Sequence, residues 1–178
     1  MRALMVFLIA FGFLPAAFAA DDSPISDAKY ITEALSAAPP AVAKGATVMR
    51  MGSDGSMRTL RKGNNGFTCL VMDTDKMCND ANSMEFIHAI MKHEAPPNKV
   101  GISYMLAGDT GVSNTDPYAT GKTPGNHWIV TGPHIMIFGP PSKTLGYTRA
   151  QDPDPNQPYM MWAGTPYEHA MIPVAAPK

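Results

Sequence analysis

The chain is poor in charge. Lys and Arg number 14 and Asp and Glu 15, together 16% of its 178 residues, where soluble domains average roughly 25%. The net charge of −1 leaves no basic field to hold a polyanion, so nucleic acid is excluded as a partner. Cysteine is scarce too, with two residues and neither a C-x-x-C nor a C-x-x-C-H spacing, which removes a redox dithiol motif and covalent haem attachment. Beyond the first 19 residues no apolar run reaches the roughly 20 residues of a membrane-crossing helix. No segment repeats at a fixed period. What is present is 45% hydrophobic residues, too many for a disordered chain, and 15 Gly with 17 Pro, too many breaks for a helical bundle.

The first 19 residues read as a secretory leader. Met1-Arg2 is a short positive start, Ala3–Leu14 is apolar apart from Gly12, and Ala17-Phe18-Ala19 has the small-residue pattern of a cleavage site. The expectation is an exported protein, periplasmic or extracellular, with residues 20–178 as one globular domain and no membrane insertion after cleavage. Export bears on Cys69 and Cys78: in an oxidising compartment an even count favours a disulfide. The eight residues between them offer only Asp73 and Asp75 beside thioethers, so no metal is assigned there.

Along the rest of the chain, Ile25–Ala38 has helical composition and stops at Pro39-Pro40. Ala46–Met51 and Met57–Lys62 flank Gly52-Ser53-Asp54-Gly55 as a hairpin, and Phe67–Met72 is a third strand. Asn79–His93 is the strongest helix. Met84, Phe86, Ile87, Ile90 and Met91 share one arc, and Asp80 or Asn82 stands ready to cap it. Val100–Ala107, His127–Thr131, His134–Phe138, Tyr159–Ala163 and His169–Val174 read as strands. Helices and strands do not alternate, which predicts α+β: a mainly antiparallel sheet, one or two packed helices and long ordered loops. The two long connections, 108–126 and 139–158, are rich in Gly, Asp, Ser, Thr, Asn and Pro. Connections this long are functional or disordered.

Several short patterns carry chemistry only in part. Asp109-Thr110-Gly111 matches the triplet of aspartic proteases but lacks the apolar flanks and a second copy, so a turn opened by Asp109 is the simpler reading. Asp152, Asp154 and Asn156 imitate the first ligands of a calcium loop, yet Gln157 replaces the required Gly and Ala163 the closing Glu. Met49 and Met51 alternate on a strand, and Met160-Met161 follow later. Thioethers bind Cu(I), although methionine more often fills gaps in a core. Lys44, Arg50, Arg58, Arg61 and Lys62 gather about the first hairpin, as an anion-binding face or, more simply, a solvated one. His88 and His93, five apart, read as surface residues.

The aromatics and histidines concentrate in the last three-fifths of the chain. Tyr104, Asp109, Asp116, His127, Trp128, His134, Glu168 and His169 are the candidate ligand-binding residues, since aromatic walls with a few polar groups suit a small-molecule pocket. The pattern favours a non-enzymatic small-ligand-binding or structural protein. The alternative is a metal-dependent or Asp/His hydrolase built from 108–134 and 167–169. The alternative would draw on Asp109, Asp116, His127, His134 or His169; neither reading assigns a particular catalytic role, metal or cofactor. Four segments, Gly66–Cys69, Tyr104–Pro117, Gly132–His134 and Tyr159–His169, together resemble a group of small exported bacterial proteins. That resemblance implies export and a single domain, and it transfers no catalytic residue.

Overall fold

The computed structural model describes residues 25–174; the expected leader and the polar start at Asp21–Pro24 lie outside the described residues. The helical stretch before the first prolines is α1 (Asp27–Leu35), where the Ser26 hydroxyl accepts the Lys29 N–H. Pro40 opens a single turn, α2 (Pro40–Ala43). The hairpin follows as β1 (Thr47–Met51) and β2 (Met57–Arg61). Asp54 Oδ1 accepts the Ser56 N–H in its loop, where Gly55 takes a positive φ of 78°.

β3 (Thr68–Met72) continues directly into a strand that the cysteine spacing concealed. β4 (Asp75–Asn79) pairs antiparallel with β3 across the two residues Asp73 and Thr74, and Cys69 and Cys78 are cross-strand partners joined as a disulfide. Asp73 takes φ 53°, which Asp tolerates better than most residues. Asn79 therefore ends a strand, and the helix begins two residues later as α3 (Ala81–Met91), with Asp80 Oδ1 accepting the Ser83 N–H.

The remaining strands are β5 (Gly101–Met105), β6 (Val112–Ser113), β7 (Trp128–Ile129), β8 (His134–Phe138), β9 (Tyr159–Met161) and β10 (His169–Pro173), with a 3-10 turn at Pro140–Thr144. Eight strands form one sheet in the order β2-β1-β3-β4-β5-β8-β10-β9, antiparallel throughout except where β1 lies parallel to β3. The protein is thus α+β and mainly sheet. The expected strand at His127–Thr131 is only two residues long and stays outside this sheet, paired with β6 as a separate ribbon.

The pairing register assigns the two faces. Cys78 lies opposite Tyr104, and Asn79 opposite Ser103; successive side chains alternate in direction. One face carries Val48, Cys69 and Cys78 against Tyr30 and Ala34 of α1. The other carries Met105, Met136, Phe138, Met161 and Met171 against Phe86 of α3. Helix α3 approaches β5 so closely that a Cβ on Gly101 would lie 2.5 Å from the Ser83 backbone nitrogen. The arc expected for α3 is corrected at its end. Phe86 and Ile87 are buried, but Met91 is 46% exposed and stands at a rim. Among the described residues no helix is long and apolar enough to cross a membrane.

Candidate functional site

The α3 face of the sheet is not fully covered. A cavity of about 440 Å³ lies between the sheet, the side of α3 that bears Ile87, Ile90 and Met91, and the connection that follows β5. That connection holds its shape by bonding to itself and to its neighbours, as short polar side chains allow. Asp109 Oδ1 accepts the N–H groups of Gly111 (3.0 Å) and Thr131 (2.9 Å). Asn114 donates to the carbonyls of Ala150 and Gln151, and Ser113 to that of Asn126. Tyr118 stacks on His93 at the end of α3, ring centroids 4.0 Å apart, and shares a hydroxyl hydrogen bond with Tyr167. At Gly111 the backbone passes against Trp128: a Cβ there would lie 2.2 Å from the indole nitrogen, and φ is 104°.

The walls are methionine and aromatic. Met77, Met105, Met136, Met161 and Met171 come from the sheet, and Trp128 and Trp162 from the ribbon and from the turn after β9. Trp162 is fixed by donating its indole N–H to the Ser113 carbonyl at 2.8 Å. Three carboxylates, Asp73, Asp75 and Asp109, also line the cavity, and among the described residues no Lys or Arg does. Burial, reinforced by the nearby Asp75, pushes the Asp109 carboxyl up to about 6 despite the N–H groups that favour its ionised form.

His169 is the one imidazole in the lining. Its ring is 1% exposed and packs against Phe138 and Trp162, with centroids 4.8 and 4.9 Å away. Nδ1 lies 3.0 Å from the Tyr167 carbonyl and so carries the proton, which leaves Nε2 a buried acceptor with no partner. Burial depresses this imidazole to about 4, so it is neutral at physiological pH.

Of the eight residues expected to gather, this cavity collects Asp109, Trp128 and His169. Tyr104 faces the other way and packs on Phe67 in the α1 layer. Asp116 holds a turn by accepting the Tyr118 N–H. His127 pairs with Asp152, Nδ1 to Oδ2 at 2.9 Å, and not with Asp109 or Asp116. His134 is buried with Nδ1 on the Gly132 carbonyl, and burial lowers its pKa. Burial works against ionising Glu168, but the Gly164 N–H and Arg149 more than offset it and hold the carboxyl below its usual range. Asp75 was missed, because it reads as part of the disulfide loop. Register alone places it, opposite Met72.

The hairpin arginines serve the first two helices. Arg50 and Arg58 both grip Asp27, Arg50 also lies over the Tyr30 ring, and Arg61 donates to the carbonyls of Ala43 and Lys44. Asp154 accepts the Asn156 N–H within its own connector. Among the described residues no three His, Cys, Asp or Glu side chains gather as a metal site. Comparison with protein-family models, curated proteins and solved structures gives no match to this chain.

Proposed function

We propose that the protein is an exported, non-enzymatic binder of a small uncharged or cationic molecule with an apolar body, held in the cavity beside α3. The observation that carries this reading is the lining: a space of about 440 Å³ walled by thioethers and two indoles and edged, among the described residues, by three carboxylates and no cation, with a neutral imidazole whose acceptor has no partner there. Apolar walls supply affinity by desolvation, and a few polar groups orient the guest. The indole faces and carboxylates favour positive over negative charge on that guest. The hydrolytic alternative draws on Asp109, Asp116, His127, His134 and His169, and among the described residues no Ser or Cys side chain bonds to any of those three imidazoles. That geometry lacks the nucleophile–base contact that such chemistry uses.

Two dyes that share one scaffold test the proposal. N-phenyl-1-naphthylamine is neutral, and 8-anilinonaphthalene-1-sulfonate adds a sulfonate. The neutral dye should bind saturably at one site with enhanced emission, and the anionic dye at least tenfold more weakly. Ile90→Trp, which fills the cavity from α3, should abolish uptake while the protein still melts cooperatively. Absence of saturable uptake of the neutral dye overturns the site, and equal affinity for the two dyes overturns the charge preference.

A further inference from the structure

A second cavity of about 340 Å³ opens beside the first along α3, and its composition is unusual. Met51, Met57, Met72, Met84, Met91 and His88 all line it, with Leu70, Ile87, Gly55 and Lys92. Topology explains the convergence. β1 ends at Met51, β2 begins opposite it at Met57, and β3, parallel to β1, ends at Met72. Met84, His88 and Met91 stand at i, i+4 and i+7 on α3, one stripe of the helix.

These thioethers are more exposed than the methionines at the centre of the core. Met105, Met136, Met160, Met161 and Met171 are each at most 7% exposed, as gap-filling methionines should be. None of the five in the groove is buried: four are partly exposed and Met91 is 46% exposed. His88 is exposed as well, and among the described residues no side-chain hydrogen bond holds its ring. Exposing five thioethers in one groove forgoes their burial, so their presence together asks for a ligand that values sulfur. Among the described residues no carboxylate lines the groove, and both cysteines are spent in the disulfide, so neither oxygen nor thiolate competes there.

We infer that this groove binds a soft monovalent cation, Cu(I) or its analogue Ag(I), through three or four of these thioethers with His88. Soft sulfur ligands select Cu(I), whereas Zn(II), Ca(II) and Mg(II) need the nitrogen, thiolate or oxygen sets that the groove lacks. Methionine's three rotatable bonds let sulfurs on four different elements turn toward one ion. Lys92 is the cation at this rim, and its long stem lets the ammonium stand away from the metal. The groove adjoins the proposed guest cavity and shares Met72, Ile87 and Met91 with it, whereas Met51, Met57, Met84 and His88 line only the groove.

The test is titration of the disulfide-intact protein with Ag(I), and with Cu(I) buffered by bicinchoninate, followed by the methyl signals of ¹³C-methyl methionine. One equivalent should move the signals of Met51, Met57 and Met84 and leave those of Met105, Met136 and Met160 in place. Zn(II) should move none. Met57→Leu/Met84→Leu should bind Cu(I) at least tenfold more weakly, with unchanged melting and unchanged uptake of the neutral dye. No shift at one equivalent, shifts spread evenly over all methionines, or wild-type affinity in the double variant would each overturn the inference. The wild-type spectra decide the matter even if the variant folds poorly.

Discussion

The two faces of one sheet solve the covering problem in opposite ways. On the α1 face, small residues and the disulfide close the space completely: Ala34, Ala37, Ala46, Val48, Cys69 and Cys78 are all 0% exposed. Arg50, Arg58 and Asp27 then clamp the helix from outside. On the α3 face the side chains are long and flexible, and ten of the twelve methionines among residues 25–174 line the guest cavity or the methionine groove. Short side chains allow close approach, and long unbranched ones bridge imperfect gaps. The first face is built to be shut and the second to stay open.

The sharpest way to break this contrast is to place the same charge on each face. Val48→Asp buries an unpaired carboxylate in the closed layer and should cost more than about 4 kcal/mol, leaving little folded protein. Met91→Asp, at a rim that is 46% exposed, should change stability by no more than about 0.5–1 kcal/mol. Urea titrations read both. Comparable losses would mean that the α3 face is as tightly packed as the other.

A second contrast is chemical. His169 is folded into its layer as a neutral group near 4, against 6.5 in the unfolded chain. As pH falls below 6.5, the unfolded chain gains a proton that the folded one refuses. Stability is therefore lost between about 6.5 and 4, on the order of 3 kcal/mol from this group. His134, buried and shifted downward as well, adds to the same slope. His169→Phe keeps the ring volume and should flatten this dependence; parallel stability profiles for the two proteins would show that the imidazole is solvated.

Much of this architecture is legible in the sequence, and the gaps have physical causes. The Gly52–Gly55 turn between two strand-like runs marks β1 and β2, apolar runs mark β5 and β8, and the cysteine count predicts the disulfide that the fold contains. β4 escapes notice because its turn, Asp73-Thr74, carries no Gly, Pro or Asn, and only the backbone shows Asp73 in the left-handed region. β6 is too short, at two residues, to leave a period. The candidate site is harder to read. Tyr104 and Met105 are adjacent and both largely apolar, so without register nothing says which one faces the cavity. Asp109, Trp128 and His169 meet only because β5, β8 and β10 are neighbours in the sheet, an order that local pattern does not carry.

The disulfide sharpens the comparison from the closed side. It joins direct cross-strand partners nine residues apart, and a ring of that size is worth roughly 2–3 kcal/mol by chain entropy. Reduction should lower the urea midpoint accordingly while leaving uptake of the neutral dye intact, because Cys69 and Cys78 lie in the α1 layer. Loss of uptake on reduction, with the protein still folded, would mean that the two faces are coupled.

The smallest expected effect concerns Asp109, where the open face meets water. Its carboxyl is raised to about 6 by burial, with Asp75 nearby adding to the shift. The sign is opposite to that of His169: between about 4 and 6 the folded state holds a proton that the unfolded chain has released, so this group lowers stability as pH rises through that window. The two slopes oppose each other, and the wild-type profile is flatter than either group alone would make it. Asp109→Asn can keep both N–H contacts, from Gly111 and Thr131, through its amide oxygen, yet it cannot ionise. The variant should melt at the wild-type temperature at pH 4 and slightly above it at pH 7, by a few degrees at most for a domain of this size. Binding adds a second readout. A cationic guest should lose affinity in the variant at pH 7, where wild-type Asp109 is charged, and not at pH 5, where it is mostly neutral. Identical profiles for wild type and variant in melting would show that the Asp109 carboxyl is hydrated, and pH-independent binding would remove it from the rim of the site.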